Sequence, residues 1–369
     1  MKTRVAIAQS VGGPITVTTM DLRPPCAGEV LVKIGAAGIC RSDWQVCTGA
    51  TTHPLPAALG HEGAGTVEAI GPGVTHVAPG DAVILSWAPA CGTCFYCERD
   101  RPGLCEVFDR TVWRGVMSDG TPRLFLDGAP VYQYCALGCF AERIVVAEAS
   151  CVPLPQGVPM PVAALIGCCV TTGIGAVMNT ACVPAQSSVV IFGAGGVGLS
   201  MVMGAHLAGA SPIIAVDKLP ARMQLALRLG ATHFLPAVRG IASDIRALAQ
   251  GRGADFAFDA TGIPAVQETC LAAVRPGGTV VLSGLAPVGS ATNLPGADIT
   301  RKEKTVKGSY YGSALPRRDF IRYAGWYREG RLNLDPLLTK SYALSEVRKA
   351  YQDLNAGSIV RGVLSPDAD

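Results

Sequence analysis

Four cysteines fall within fifteen residues of this chain: Cys91-Gly-Thr-Cys94-Phe-Tyr-Cys97, then Cys105 after seven more. Thiolates at such short spacing can wrap one loop around a tetrahedral zinc. With all four positions filled by protein, no position is left for a substrate, so a metal held there is structural. Two disulfides, or four unrelated buried thiols, are the plainer readings. Three cysteines at strict two-residue gaps argue against both.

A second set is glycine-rich. Gly193-Ala-Gly195-Gly196-Val197-Gly198 fits G-x-G-x-x-G. Alone the pattern is weak, but here it follows an apolar run, Ser188–Phe192, and opens a helical stretch, Val197–Ala208. A second strand, Ile213–Val216, then leads into Asp217. That is the context a dinucleotide fingerprint requires. The glycines let backbone approach a pyrophosphate seated on a helix N-terminus. Asp217 can accept hydrogen bonds from the adenosine ribose and would repel a 2′-phosphate, which favours NAD over NADP. Lys218 and Arg222 are cations close to that carboxylate in sequence.

The third set is dispersed: Cys40-Arg41-Ser42-Asp43, Gly60-His61-Glu62 and Gly167-Cys168-Cys169. A catalytic zinc needs two or three soft or borderline ligands and one open position. Spacing alone cannot unite segments so far apart. Taken singly, each reads as a buried thiol or a turn histidine.

The elements that must position these groups change in character along the chain. The first 150 residues read as short strands: Arg4–Ala8, Glu29–Ile34, Gly65–Ile70, Asp81–Leu85 and Glu142–Val146. Gly, Pro and Asp separate them, and no long helical period is evident. Beyond residue 161 strand and helix alternate. Pro220–Leu229 reads as a helix, while Asp255–Asp259 and Thr279–Ser283 read as strands. That alternation implies a doubly wound parallel sheet. Two amphipathic helices, Arg317–Arg328 and Ser345–Leu354, and a last strand, Ser358–Leu364, follow.

Size and composition agree. A chain of 369 residues with 49% hydrophobic content holds about two domains. A net charge of +3 gives no argument for a nucleic-acid partner. Ala149–Val216 lacks Asp, Glu, Lys and Arg for 68 residues. Gly, Pro, Ser, Thr and Gln interrupt it throughout, so it reads as a buried segment leading into a buried strand, not as a membrane span. The N-terminus lacks the apolar core of a signal peptide, so the 14 cysteines are expected as thiols or metal ligands in the cytoplasm.

Taken together, GHEGAG, the four-Cys loop, GCCVTTGIG and GAGGVG stand in the order and near the spacing of the zinc-containing, medium-chain alcohol dehydrogenases. The chain resembles that family over essentially its whole length. The segment between Cys105 and Phe140 is similar to the liver-type and glutathione-dependent formaldehyde branch. The resemblance implies a GroES-like β-rich catalytic domain (1–170 and 311–369) with an inserted Rossmann domain (171–310). It implies two zinc ions per chain. Cys40, His61 and Cys168 would hold the catalytic zinc, the Cys2His set of alcohol dehydrogenases. Cys91, Cys94, Cys97 and Cys105 would hold the structural one. Asp43 would orient His61, Glu62 would sit beside the metal, and Ser42 would hydrogen-bond the substrate oxygen. Arg41 and Arg361 would reach the cofactor phosphates and Thr172 the nicotinamide side. Trp87, Leu104, Arg110, Tyr134 and Leu285 would line the substrate channel. Most members of that branch are dimers, and Thr279–Ser283 with its following loop would extend the sheet across a two-fold axis.

One departure from the family pattern bears on the proton. Where liver-type relatives usually carry a relaying histidine, this chain has Gln45, and an amide does not titrate near neutrality. The proton would leave by water or through His53; alternatively, Gln45 merely bonds cofactor ribose. The expected reaction is hydride transfer between NAD(H) and a primary or aromatic alcohol or aldehyde. Three rival readings stand beside it. A thiol-adduct formaldehyde dehydrogenase would want carboxylates in the loop Thr51–Ala57, which has none. An imine or enone reductase would fit the missing histidine relay. A non-catalytic dinucleotide binder would not need the filled ligand positions.

Overall fold

The computed structural model describes residues 1–366. The last three residues of the segment 311–369 lie outside that description. The chain divides into two compact units. The first is Met1–Cys168 with the C-terminal stretch from Leu315, and the second is Cys169–Ala314.

The first unit is built on strands. Lys2–Ala8, Ile15–Leu22, Leu124–Leu126, Ala129–Gln133 and Ala57–Ala58 close into a small barrel. A mixed sheet carries Glu29–Gly38 at its heart, paired antiparallel to Gly63–Ile70 and to Arg143–Ala147. Its inward residues, such as Val30, Val32, Ile34 and Val145, are fully buried, as alternating β-branched strands demand. Helix Arg41–Thr48 follows this strand directly and ends at Gly49, whose φ of 76° closes it. Thus the first 150 residues do contain a helix. Its eight residues run RSDWQVCT, and only Asp43, Val46 and Cys47 are buried, too few for the sequence to show a helical period.

The second unit holds six parallel strands in the order His233–Pro236, Ile213–Asp217, Val189–Phe192, Ala254–Asp259, Val274–Leu282, Thr305–Gly308. This is the doubly wound order, with the reversal between the strands beginning at Val189 and Ala254. The expectation that Thr279–Ser283 forms an extendable edge needs correcting. Its residues Thr279–Leu282 lie in the strand Val274–Leu282, hydrogen-bonded on both sides, and Thr305–Gly308 is the edge.

The uncharged segment is buried, and it holds a helix that its sequence did not announce. Met160–Thr180 is helical, with two π-helical stretches, and is long and apolar enough to cross a membrane. It is instead largely buried within the fold, which explains why no charge is tolerated along it.

Candidate active site

Cys40 ends the turn after the strand Glu29–Gly38 and occupies the N-cap of helix Arg41–Thr48. His61 and Glu62 follow Gly60, whose φ of 98° and closeness to Phe140 exclude any side chain. There a Cβ would sit 2.5 Å from the Phe140 amide nitrogen. Cys168 rides on the π-helical stretch Ile166–Val170, preceded by Gly167, where a Cβ would press on the Leu85 carbonyl at 2.8 Å. Close backbone approach at two glycines therefore brings the distant segments together. The ligand-type atoms of Cys40, His61 and Glu62 lie within 4.8 Å of one another, and all three side chains are buried. The Cys168 thiol hydrogen-bonds both Cys40 and His61.

Each member has a fixed neighbour. Asp43, fully buried, accepts the Gly60 N–H at Oδ1 over 2.8 Å and holds Oδ2 at 3.0 Å from His61 Nδ1. His61 Nε2 is thus the atom left for the thiol side. Glu62 Oε1 pairs with Arg361 Nη2 at 2.9 Å, and Arg361 Nη1 donates to the Ile39 carbonyl at 2.7 Å. Arg361 is therefore 4% exposed and set beside Glu62. No sequence signal links these two residues. Trp87 and Tyr134 flank His61, with ring centroids at 6.4 and 5.5 Å, both edge-on. Ser42 Oγ is 3.8 Å from the Cys40 sulfur. Gln45 is half-buried on the same helix, Arg41 and Leu285 are exposed, and Leu104 is exposed on the four-cysteine side.

The electrostatics test whether these groups suit a cation. The hydrogen bond from Cys168 drives the Cys40 thiol well below its ordinary pKa, while the same contact and burial drive Cys168 up. Burial pushes the Glu62 carboxyl up to about 8 against the pull of Arg361. Glu62 Oε2 is buried with no hydrogen-bond partner. Thiols and a carboxylate crowded this closely cannot all ionise unless a cation joins them. A soft divalent metal on two sulfurs and a nitrogen satisfies that need, and zinc suits the donor set.

The four-cysteine loop shows the same pattern. Cys91, Cys94, Cys97 and Cys105 bring their sulfurs within 4.8 Å of one another. The Thr93 and Cys94 amides hold the Cys91 thiol down at about 6, whereas burial and neighbouring sulfurs push Cys97 up to about 12. The Cys91 N–H also points at the Cys105 sulfur, at 3.4 Å. None of the 14 cysteines is disulfide-bonded. The loop thus fits one tetrahedral zinc with no vacant position.

In the second unit, Gly193–Gly198 joins the strand Val189–Phe192 to helix Gly196–Leu207. A Cβ on Gly198 would lie 1.6 Å from the Gly193 carbonyl oxygen, so only glycine fits. Gly195 is exposed and a Cβ there would meet nothing within 4 Å, leaving backbone N–H groups open to a phosphate. Val197 is half-buried on the first turn of the helix, and Gly196 is buried. Asp217 accepts the Ala194 N–H at 2.6 Å and the Leu219 N–H at 2.8 Å, which fixes its carboxylate at the strand end. Burial lowers the Arg222 pKa while Asp217 opposes the shift, and Lys218 is exposed. Thr172 is half-buried on helix Thr171–Gly175.

A doubly wound dinucleotide unit joined to a β-rich unit with two metal-type thiol clusters defines a zinc-dependent dehydrogenase. Comparison with known proteins agrees. Residues 26–156 match the alcohol dehydrogenase GroES-like domain, and residues 196–328 match the zinc-binding dehydrogenase domain. The chain is 40% identical to the NDMA-dependent alcohol dehydrogenase of Amycolatopsis methanolica, with full coverage of both. It is 37% identical to the S-(hydroxymethyl)glutathione dehydrogenase of Paracoccus denitrificans, over 99% of this chain and all of that one. The crystal structure of benzyl alcohol dehydrogenase from Acinetobacter calcoaceticus superposes with a TM-score of 0.93 at 32% identity, covering 99% of each chain. The protein belongs to the zinc-containing medium-chain alcohol dehydrogenase family. It is an oxidoreductase that acts on small-molecule alcohols or carbonyls.

Proposed function

We propose that the chain oxidises primary or aromatic alcohols, and reduces the aldehydes, with NAD(H) as hydride partner and two zinc ions per subunit. The observation that carries this reading is the convergence of Cys40, His61 and Cys168 beneath Trp87 and Tyr134. A zinc held there would act as a Lewis acid on the substrate oxygen and lower its pKa. The nicotinamide supplies the hydride chemistry.

The chain's own residues then orient and move charge. Asp43 keeps the His61 proton on Nδ1, leaving Nε2 as ligand. Ser42 hydrogen-bonds the substrate oxygen and is the first proton carrier. His53 is the next candidate: its Nδ1 donates to the Pro54 carbonyl at 2.8 Å, and its buried Nε2 has no partner. Burial lowers its pKa, so it is neutral near pH 7 and can accept a proton. Its ring stacks edge-on to Tyr134 at 5.3 Å. Gln45 then serves as a hydrogen bond to cofactor ribose. Asp217 selects NAD, Arg222 and Lys218 flank it, and Arg41, Thr172, Leu285 and the glycine loop complete the dinucleotide contacts. Arg361 acts by holding Glu62 and is the second cofactor arginine. The absence of carboxylates in Thr51–Ala57 weighs against a thiol-adduct substrate.

The buried rings of Trp87 and Tyr134 packed edge-on to His61 suit an aromatic alcohol. The subunit pairs as a homodimer through the edge Thr305–Gly308, and its fourteen free thiols suit the cytoplasm. The test is a panel of alcohols with NAD and with NADP, each with and without NDMA, together with zinc analysis. Reduction of NAD by benzylic alcohols at two zincs per chain is expected. Zinc-loaded protein inert with every alcohol and aldehyde would overturn the reading.

A further inference from the structure

We propose that the buried carboxylate of Asp259 is a positioning residue for the dinucleotide. Through Gln267 and Thr292 it holds the loops after strands Ala254–Asp259 and Val274–Leu282 in the shape the cofactor meets, and so sets coenzyme affinity. This deepens the dinucleotide-binding part of the reading above and rests on it.

Asp259 ends the strand Ala254–Asp259, opposite Phe192 on one side and Leu282 on the other, and is fully buried. A carboxylate in such a position is costly unless donors converge on it. Here they do. Oδ1 accepts the Thr261 N–H at 2.8 Å and the Thr261 hydroxyl at 2.7 Å. Both oxygens share the Gly262 N–H, at 3.2 Å each. Oδ2 accepts Gln267 Nε2 at 3.0 Å. Gln267, buried on helix Pro264–Ala273, in turn accepts the Thr292 hydroxyl at Oε1. Its neighbour Glu268 accepts the Asn293 N–H at 3.0 Å. The main chain adds to this, for the Asp259 carbonyl accepts the Ser283 and Gly284 N–H groups at 3.0 Å. One acid thus ties residues 260–262 to both ends of the segment 283–292.

Place in the sheet decides between a merely structural role and a positioning one. In a doubly wound sheet the ligand lies outside the carboxyl ends of the strands, where the strand order reverses. Both loops leave from that end. The first touches the glycine turn: a Cβ on Gly193 would lie 2.9 Å from Thr261 Cγ2, and one on Gly198 3.4 Å from the Ala260 Cβ. The second carries the exposed Leu285. The two loops meet backbone to backbone, since a Cβ on Gly284 would run into the Gly262 amide and one on Gly262 into the Leu285 carbonyl. Residues 283–295 contain no strand or helix, so side-chain bonds such as those at Thr292 and Asn293 are what order them. Loops ordered in advance spare the cofactor that entropy cost on binding. Asp255, at the other end of the same strand, is the contrast. It pairs with Arg275 at 2.6 Å and accepts the Ser188 hydroxyl at 2.7 Å, at the end remote from the glycine turn.

The test measures NADH affinity of the zinc-loaded protein by calorimetry, with hydrogen exchange of the two loops in the cofactor-free protein. Gln267→Met removes both bonds of the bridge at similar volume and leaves the Asp259 bonds to Thr261 and Gly262 in place. The NADH dissociation constant should rise about tenfold, and amides of residues 283–293 should exchange faster. The KM for NAD should rise with kcat little changed. Gln267→Glu sets two carboxylates against each other and should weaken binding likewise. Adding D259N to Q267E exchanges acid and amide, keeps both bonds, and should restore affinity to within about twofold of wild type. Asp255→Asn should lower the melting temperature and leave NADH affinity unchanged. Wild-type NADH affinity in Q267M and Q267E, a Q267E loss that D259N does not restore, or a D255N loss equal to that of Q267M overturns the positioning role alone. Gln267-dependent NADH binding with no oxidation of any alcohol supports the positioning role and sinks the alcohol-dehydrogenase reading. Zinc-loaded wild type that binds no NADH overturns both.

Discussion

Asp43→Asn isolates the interaction on which the catalytic cluster depends. The substitution preserves shape and replaces one oxygen by NH2. Which end faces which partner follows from the geometry. The buried Gly60 N–H needs an acceptor at 2.8 Å, so the amide oxygen stays there. The amide NH2 then faces His61 Nδ1 at the 3.0 Å now held by a carboxylate oxygen. Two N–H groups cannot share that contact. His61 must move its proton to Nε2, the atom needed toward Cys40 and Cys168, or leave a buried donor pair unsatisfied. Losing a hydrogen bond to a buried charged group costs about 1.5–3 kcal/mol. That corresponds to about 10- to 100-fold in metal affinity, the usual scale for a partner behind a metal-bound histidine. The assay is competition against a chromogenic chelator, resolving two zinc-release steps, with circular dichroism to verify folding. The weaker step should shift by that factor and kcat/KM should fall with it, while zinc on the four-cysteine loop is retained. A folded D43N protein with both zinc affinities and kcat/KM unchanged would refute the argument that Asp43 sets the His61 tautomer.

Four further expectations follow from other parts of the molecule. Cys97→Ala should release one zinc equivalent and lower the melting temperature by more than about 5 °C, read by calorimetry with and without chelator. His53→Gln should remove the lower limb of the kcat–pH profile. That limb lies below pH 6.5, because burial lowers the His53 pKa and activity falls as protonation occupies Nε2. An unchanged limb would leave water as the proton exit. Asp217→Ala should raise the NADP-over-NAD ratio of kcat/KM by about tenfold, since it removes the carboxylate that a 2′-phosphate would meet. Asp119, held at about 2 by hydrogen bonds from Arg123 and Thr121 that outweigh its burial, is depressed below its unfolded value. Its contribution is present above pH 4 and is lost as pH falls from 4 to 2. Thermal melts over that range should therefore be flatter for D119N than for wild type.

Local signals in the sequence were sufficient wherever a motif lies within one element or turn. The cysteines of the 91–105 loop and the glycines at Gly193–Gly198 are close neighbours along the chain, so spacing alone constrains their geometry. The alternation after residue 161 likewise announces a parallel sheet. The burial of Met160–Thr180 was legible but its helix was not, because burial, not periodicity, set its composition. With apolar neighbours all round, a buried helix has no polar face to reveal its 3.6-residue period. Helix Arg41–Thr48 was obscured for a different reason. A metal-type residue, Cys40, caps it and its eight residues bury an acid, Asp43, so chemistry displaced the usual amphipathic pattern. The edge of the parallel sheet was misassigned because strand order depends on which crossover packs where, which no local window contains.

The catalytic cluster was legible only through resemblance, and the structure gives the physical reason. Its parts come from a β-to-α turn at Cys40, a glycine turn at His61 and a π-helical stretch at Cys168. What joins them is backbone approach, at Gly60 against Phe140 and at Gly167 against Leu85. Gly38 does the same for Glu62, since a Cβ there would fall 3.0 Å from the Glu62 Cβ and closer still to its carboxylate. Three glycines therefore fix the cluster without contributing one ligand atom. Arg361, hundreds of residues away, completes it from the final strand by holding Glu62 through an ion pair buried on both sides. Breaking one partner of such a pair leaves the other buried without its counter-charge, so the site depends on this strand as well as on its sulfurs.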